Sequence, residues 1–397
     1  MLTFILDFVS ASLALLVAIP LSVFALELVF GIWPSRKHKP QGMESPATVV
    51  LIPAHDEEIG LGETLAALLE TLPPRTEVLV VADNCTDQTA SVARAAGVTV
   101  IERDDPAARG KGFALAFGRD FIAARPTRPD VVVVLDADCW LAPGSLHTLA
   151  TSALTTARPV QAVYLIISSL AESPRVQISN FAFLIKNLYR TRGMQRLSGA
   201  ALLTGTGMAF PWSIFSEAAL STGSIVEDLD LGILLTRCGS APLLVENAHV
   251  RSRPAALGDT LVQRRRWEHG FLSALRNSAF PTLIGGIRRR SIKETFLGLH
   301  LCVPPFALLL VLSATTLALE TLLHWAGATS WPIYALGSIA ALALMLTFAA
   351  WAAGGRNYLS GSALLHIPLY IFWKLPIYAS YARRAEAEWQ RTPRRDG

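Results

Sequence analysis

The sequence predicts an α/β domain on a mostly parallel, doubly wound sheet with helices on both faces, joined to about three membrane helices. Three observations predict it. Short runs rich in β-branched residues alternate with helical patterns through one long stretch of the chain. Those runs lack polar alternation, as strands covered on both faces require. Elsewhere the apolar residues gather into uncharged blocks. With 52% hydrophobic and 17% charged residues among 397, and a mean hydropathy of +0.40, such clustering marks a membrane protein.

The first block, Phe8 to Leu26, runs uncharged for about the length a bilayer core needs. It lacks the basic start and A-x-A site of a cleaved signal peptide. Residues 1–33 are therefore expected to form an N-terminal membrane helix. Arg36, Lys37, His38 and Lys39 follow it, while Arg288, Arg289, Arg290 and Lys293 precede a second block, Thr295 to Leu319. Basic clusters on both flanks put the intervening domain, residues 34–290, in the cytoplasm. A third block, Trp331 to Gly355, gives two membrane helices over residues 291–355.

The last stretch, residues 356–397, contains LLHIPLYIFWKLPIYASYARR. Pro368, Lys374 and Pro376 interrupt it and arginines follow. It reads as an interfacial segment with a basic cytoplasmic tail, a fourth span being the alternative. Cys85, Cys139, Cys238 and Cys302 are far apart and show no C-x-x-C pairing. A reduced compartment accounts for them. A net charge of +4 is too small to indicate nucleic acid, and anionic headgroups explain the arginine-rich patches beside the spans.

Within the globular region TVVLIPA, from Thr48, reads as a strand, and GETLAALLETL as a helix that Pro73 and Pro74 stop. EVLVVAD follows as strand, TDQTASVARAAG as helix, VTVIE as strand, KGFALAFGRDFIAA as helix and DVVVVLDAD as strand. Sheets of this kind bind ligands beyond the carboxyl ends of their strands. Asp83, Asp136 and Asp138 would meet there. TGTGMAF, Thr204 to Phe210, lacks the third glycine of a dinucleotide fingerprint and opens no predicted helix, so a nicotinamide cofactor is not expected.

Asp136 and Asp138 in DADCW admit two readings. Acidic residues after strands commonly cap helices or start turns. Two carboxylates one residue apart also suit Mg²⁺ or Mn²⁺, which take a few carboxylates together with phosphate oxygens.

The wider pattern resembles the catalytic domain of family 2 glycosyltransferases, membrane-bound inverting enzymes of the GT-A, Rossmann-like fold. Cellulose, hyaluronan and ceramide-sugar synthases belong to that family. The resemblance runs from about Thr48 to Trp267 and rests on six motifs in the family's order. IPAHDEE resembles its opening P-A-x-N-E, with Asp56 where Asn is usual. VADNCTDQT resembles V-D-D-G-S-x-D-x-T, with Ala82 replacing the first Asp. RGKG, DADCW, VEDLDL and QRRRW resemble G-K-G, D-x-D, T-E-D and Q-x-x-R-W, with Val226 in place of Thr.

The resemblance implies nucleotide contacts at Pro53, Glu57, Asp83, Lys111 and Asp136. It implies metal ligation by Asp136 and Asp138, Asp138 being the more direct. Asp228, beside Glu227, becomes the general base, and Gln263, Arg266 and Trp267 line the acceptor and diphosphate side. The chemistry asks for such groups: in-line displacement at an anomeric carbon needs one base and one stabilised leaving group. Simpler roles compete. Negative charge favours a helix start, which covers Glu227 and Asp228 and is the whole role expected of Asp230. Arg264 and Arg265 read as surface or headgroup charges, and Trp267 as an alternative interface anchor.

The implied donor is a nucleotide sugar, a UDP-hexose, and the expected setting is a bacterial inner membrane. About three spans are few for threading a polymer, so a lipid-linked or glycolipid acceptor is expected. A processive polysaccharide synthase and a non-catalytic nucleotide-sugar-binding scaffold remain alternatives. A nucleotidyltransferase has no reason for membrane spans, and a transporter would need charges inside spans expected to carry none. ISNFAFLIKNLYRTRGMQ, from Ile178, is expected either to line the acceptor's path or to pack on the sheet as an amphipathic helix. Phe271 to Arg290 reads as an interfacial lead into the second span.

Overall fold

The computed structural model describes residues 1–34, 44–221, 224, 226–253 and 257–383, without the side chains of 257–264, 266 and 382–383. The cluster from Arg36 to Lys39, the tail arginines from Arg384 on and the side chain of Arg383 fall outside the described residues.

In chain order the first half comprises α1 (Leu2–Gly31), β1 (Thr48–Ala54), α2 (Leu61–Leu69), β2 (Thr76–Asp83), α3 (Thr89–Ala95) and β3 (Thr99–Arg103). It continues with α4 (Lys111–Ala123), β4 (Val131–Val134), β5 (Cys139–Leu141), α5 (Ser145–Thr156) and β6 (Val160–Ile166). Next come α6 (Pro174–Leu184), α7 (Thr191–Ser198), β7 (Met208–Pro211), α8 (Trp212–Phe215), α9 (Glu227–Arg237) and β8 (Leu243–Ser252). The helices α10 (Leu257–Ala274), α11 (Phe280–Arg289), α12 (Ile292–Leu301), α13 (Phe306–Trp325) and α14 (Trp331–Ala353) follow. α15 (Gly361–Leu364) and α16 (Ile367–Arg383) close the described chain.

Two compact units interleave along the sequence. One gathers Met1–Pro34, Ser168–Ser198 and Glu268–Ala385; the other is built on Ser35–Ile167 and Gly199–Trp267.

The second unit holds an eight-stranded sheet in the order β3-β2-β1-β4-β7-β6-β8-β5. β3, β2, β1 and β4 are mutually parallel. β7 runs antiparallel to both neighbours, β6 and β8 are parallel, and β5 is antiparallel to β8. Side chains alternate between two cores. Val50, Ile52, Val131 and Val133 pack with Leu61 and Leu65 of α2 and Leu149 of α5. Val49, Leu51, Val132 and Val134 pack with Leu115 and Ile122 of α4 and Leu231 and Leu235 of α9. That two-sided burial is why the strands read as unbroken apolar runs. The four valines of β4 are fully buried, each contributing roughly 1.5–3 kcal/mol through area removed from water.

β1 matches its expected bounds, and the helices shift by a few residues at their ends. β4 ends earlier than expected, at Val134. Leu135 N still donates to Leu51 O (3.1 Å), but Gly207 N takes Val134 O at 2.9 Å and Cys139 N closes a turn on Asp136 O at 3.1 Å. Asp136 and Asp138 therefore stand on a turn beyond the strand.

Among the described residues, the first unit contains three helices long and apolar enough to cross a membrane: Leu2–Gly31, Phe306–Trp325 and Trp331–Ala353. The expected block Thr295 to Leu319 is corrected. It divides between α12 and α13 because Pro304 and Pro305 lack the N–H a continuous helix needs. The expectation of charge-free spans is also corrected. α13 includes the buried Glu320, to whose carboxylate Ser10 donates, and α1 includes the buried Glu27. Arg190 Nε donates to Glu27 Oε2 at 2.6 Å, and His300 Nδ1 meets Glu27 Oε1 at 2.6 Å. The stretch from Ile178 forms the end of α6, a π turn over Ile185–Arg190 and the start of α7. It packs on α1, so closely that a Cβ on Gly193 would lie 1.9 Å from Glu27 O. Neither expectation for that stretch foresaw this neighbour.

Candidate active site

Two crossover loops meet at the carboxyl ends of β1 and β2. Asp56 and Asn84 adopt φ of +52° and +50°, a left-handed backbone tolerated by residues that bond locally. Thr86 N donates to Asp56 Oδ1 at 2.6 Å, Glu57 N to Thr89 Oγ1 at 2.7 Å and Glu58 N to Asp87 Oδ2 at 3.1 Å. The first two motifs thus form one interlocked surface. Pro53 lies within β1 opposite Val81. Asp83, the last residue of β2, is buried and accepts from Arg103 Nη1 at 2.6 Å, while Arg103 Nη2 reaches Asp105 at 3.0 Å. Sequence reasoning did not name Arg103.

A second group gathers at the ends of β4 and α4. Gly110, with φ of +130°, precedes Lys111 at the first turn of α4. Lys111 Nζ donates to the Asp136 carboxylate and, at 2.7 Å, to Gly205 O. Burial pulls the lysine's pKa down, but Asp136, Glu227 and Asp228 outweigh it and hold the ammonium above the usual lysine range. Burial and the neighbouring Asp136 push the Asp138 carboxyl up to about 6. The oxygens of Asp136 and Asp138 and the Cys139 sulfur lie within 4.8 Å of one another. Burial, with Asp138 and Asp136 adding to it, keeps the Cys139 thiol protonated.

α9 brings the acidic pair to the same place. Glu227 and Asp228 occupy its first turn, and Leu229 N donates to Asp228 Oδ1 at 2.8 Å. Burial, then the charge of Asp228, push Glu227 up to about 8, against the pull of Lys111. Asp230 accepts from Ser224 Oγ at 2.6 Å, in keeping with a helix-start role. Gly205, with φ of +85°, threads between these groups: a Cβ there would lie 3.3 Å from Asp228 Oδ2 and 3.5 Å from Lys111 Nζ.

The turn carrying Gly205 has a support that the sequence reading passed over. Gln161 is buried within β6, a lone amide in VQAVYLI. Its bonds run to Thr204 N, Thr206 O and Ala162 O. Thr206 Oγ1 in turn accepts from Asp136 N at 3.1 Å.

Lys111, Asp136, Asp138, Glu227 and Asp228 thus come together, while Asp83, Pro53 and Glu57 belong to the loop surface at the neighbouring strand ends. Trp267 is half-buried in α10. The side chains of Gln263 and Arg266, on the same helix, lie outside the described residues.

Such a constellation can neutralise an anion with a lysine and a cation held by two carboxylates, and it holds a further carboxylate beside them. The model of the glycosyltransferase-like family 2 matches residues 46–270, more than half of the chain. Over 225 residues the chain is 26% identical to the probable glycosyltransferase YdaM of Bacillus subtilis (strain 168), covering 54% of this chain and 50% of that protein. It is 33% identical over 93 residues to the 4,4'-diaponeurosporenoate glycosyltransferase of Staphylococcus aureus (strain MRSA252), covering 23% and 24%. The chain thus spans half or less of the curated relatives it matches. The mannosyltransferase PcManGT of Pyrobaculum calidifontis, solved in complex with GDP-Man and Mn²⁺, shares the fold at a TM-score of 0.53 and 19% identity. That match covers 89% of this chain and 98% of PcManGT.

Proposed function

The chain belongs to the glycosyltransferase-like family 2, and from that premise we propose that it transfers a hexose from a nucleotide sugar to a lipid-borne acceptor, inverting the anomeric centre. One observation carries the reading: Lys111, the Asp136–Asp138 turn and the Glu227–Asp228 pair converge about Gly205. Inverting transfer needs a base for the acceptor hydroxyl and neutralisation of the departing diphosphate.

Asp136 and Asp138 would hold Mg²⁺ or Mn²⁺. The residues fit the ion: two carboxylates close enough to share it offer the hard oxygen donors it prefers. Burial and then the charge of Asp136 raise the Asp138 carboxyl, and a bound cation would favour its ionised form against both. Bound there, the ion neutralises diphosphate charge. Lys111 adds a fixed positive charge on the same side. Burial and the charge of Asp228 raise Glu227, so within the pair Glu227 is read as the acid that holds a proton and Asp228 as the base for the acceptor hydroxyl. By the family pattern alone, Asp83, Pro53 and Glu57 face the nucleotide and Gln263, Arg266 and Trp267 the acceptor.

The donor is read as a UDP-hexose from the family pattern. Three helices able to cross a membrane support an acceptor presented by the bilayer. The Arg288–Arg290 cluster before α12 supports a cytoplasmic catalytic unit in an inner membrane. The test is nucleotide release by the full chain in lipid nanodiscs. It uses UDP- and GDP-hexoses with Mn²⁺ or Mg²⁺, with and without a bacterial lipid extract. Metal-dependent release that requires the extract supports the reading; release without extract that yields long polymer replaces it with a processive synthase.

A further inference from the structure

The turn Thr204–Gly207 touches Lys111 through the Gly205 carbonyl, Asp136 through the Thr206 hydroxyl and Asp228 by proximity. Gly205 O accepts from Lys111, Thr206 Oγ1 accepts from Asp136 N, and Gly205 leaves only van der Waals room beside Asp228. The turn needs φ of +85° at Gly205 and +65° at Gly207. Two glycines gain no side-chain packing and lose much backbone entropy on ordering, so something else must fix the turn.

Gln161 is that element. It is 1% exposed, and a buried amide is costly unless its bonds are made. Its Oε1 accepts from Thr204 N at 2.9 Å, and its Nε2 donates to Thr206 O at 2.8 Å and to Ala162 O at 2.9 Å. Both amide hydrogens are thereby used. One side chain clamps the turn on either side of Gly205 and ties it to β6. β6 is itself seated beside β7 at Val160–Ala209 and Gln161–Met208.

We propose that Gln161 is a positioning residue, setting through the Thr204–Gly207 turn the separation of Lys111 from Asp136 at which a metal–diphosphate is held. Its consequence for catalysis rests on the transferase reading; its hold on the turn does not. No shorter or charged side chain does the same. Asn falls a methylene short, and Glu turns a carboxylate oxygen onto the Thr206 carbonyl. Met fills the volume without any of the bonds.

The test compares wild type, Gln161→Met, Thr206→Val and the double variant, each as the full chain in nanodiscs. Hydrogen exchange of the peptide spanning residues 203–208 reads the turn directly, and titration of Mn²⁺ with UDP or GDP, followed by the free-ion electron paramagnetic resonance signal, reads the site without turnover. Expected for Gln161→Met are faster exchange confined to that peptide and metal half-saturation raised roughly tenfold, the lower end of what losing an outer-shell partner costs a metal site. Where turnover is measurable, kcat falls more than donor KM rises. Combined with Thr206→Val, the effects on half-saturation should fall short of additive, because Gln161 places the Thr206 hydroxyl that the Asp136 amide uses. Unchanged exchange at 203–208, or additive effects with half-saturation moving only as far as thermal stability does, overturns the proposal. Absence of turnover from every donor in wild type counts against the transferase reading instead, and the exchange and Mn²⁺ titrations still decide on Gln161.

Discussion

Asp228 and Gly205 stand so close that a single added methyl on the glycine would lie 3.3 Å from the Asp228 carboxylate. Gly205→Ala therefore meets two obstacles, a φ of +85° and that contact. The strain is expected to cost about 1–3 kcal/mol of stability, a modest change in thermal midpoint. Activity should fall much further, since the methyl displaces the proposed base Asp228 and the lysine together. Parallel thermal unfolding and nucleotide-release assays check this.

Lys111 is ion-paired with Asp136 of the β4 turn. Lys111→Met keeps most of the volume and removes the charge, and turnover should fall on the order of 100-fold, the scale for losing one preorganised electrostatic contact. Binding of an uncharged nucleoside should be unaffected, while binding of the nucleoside diphosphate weakens. Equal losses for both would count against a diphosphate partner for this lysine.

Glu227 carries a sign that can be checked by pH. Its folded value of about 8 lies above the ordinary 4.5, so between those values the folded chain keeps a proton that the unfolded chain releases. Stability should fall as pH rises through that window and level off above it. Glu227→Gln should flatten the slope. The thermal midpoint in nanodiscs across the window, for wild type and variant, measures it.

In the other unit, Arg190 and His300 both bond the buried Glu27. Arg190→Met breaks a buried pair and should cost about 3–5 kcal/mol, seen as a clear drop in unfolding temperature in detergent. Glu27→Gln with Arg190→Met should recover part of that loss.

The strands β1 to β3 and the first helices were legible because period and composition report two-sided burial directly. The end of β4 was not: Leu135 continues the apolar run, and the pairing of Gly207 with Val134 and the turn closed by Cys139 on Asp136 stop the strand. Long-range pairing of that kind leaves no local signal. The charged residues of the candidate site were legible through the family resemblance, as motifs standing in order along the chain. Gln161 and Arg103 were not, because each works through bonds to residues 43 and 20 positions away. A lone Gln in an apolar strand was the available hint. The split of the second apolar block was foreshadowed by Pro304 and Pro305, and Glu27 and Glu320 were missed because both lie just past the ends of uncharged runs.

The most direct measurement of the central claim is Asp228→Asn, assayed in nanodiscs for donor binding and for transfer to lipid extract. Asn keeps the shape and removes the base. If Asp228 takes the acceptor's proton, nucleoside diphosphate–metal binding should stay within about threefold of wild type while transfer falls by about 100-fold or more. Transfer at near wild-type rate would contradict the account, as would a loss of donor binding that matches the loss of transfer.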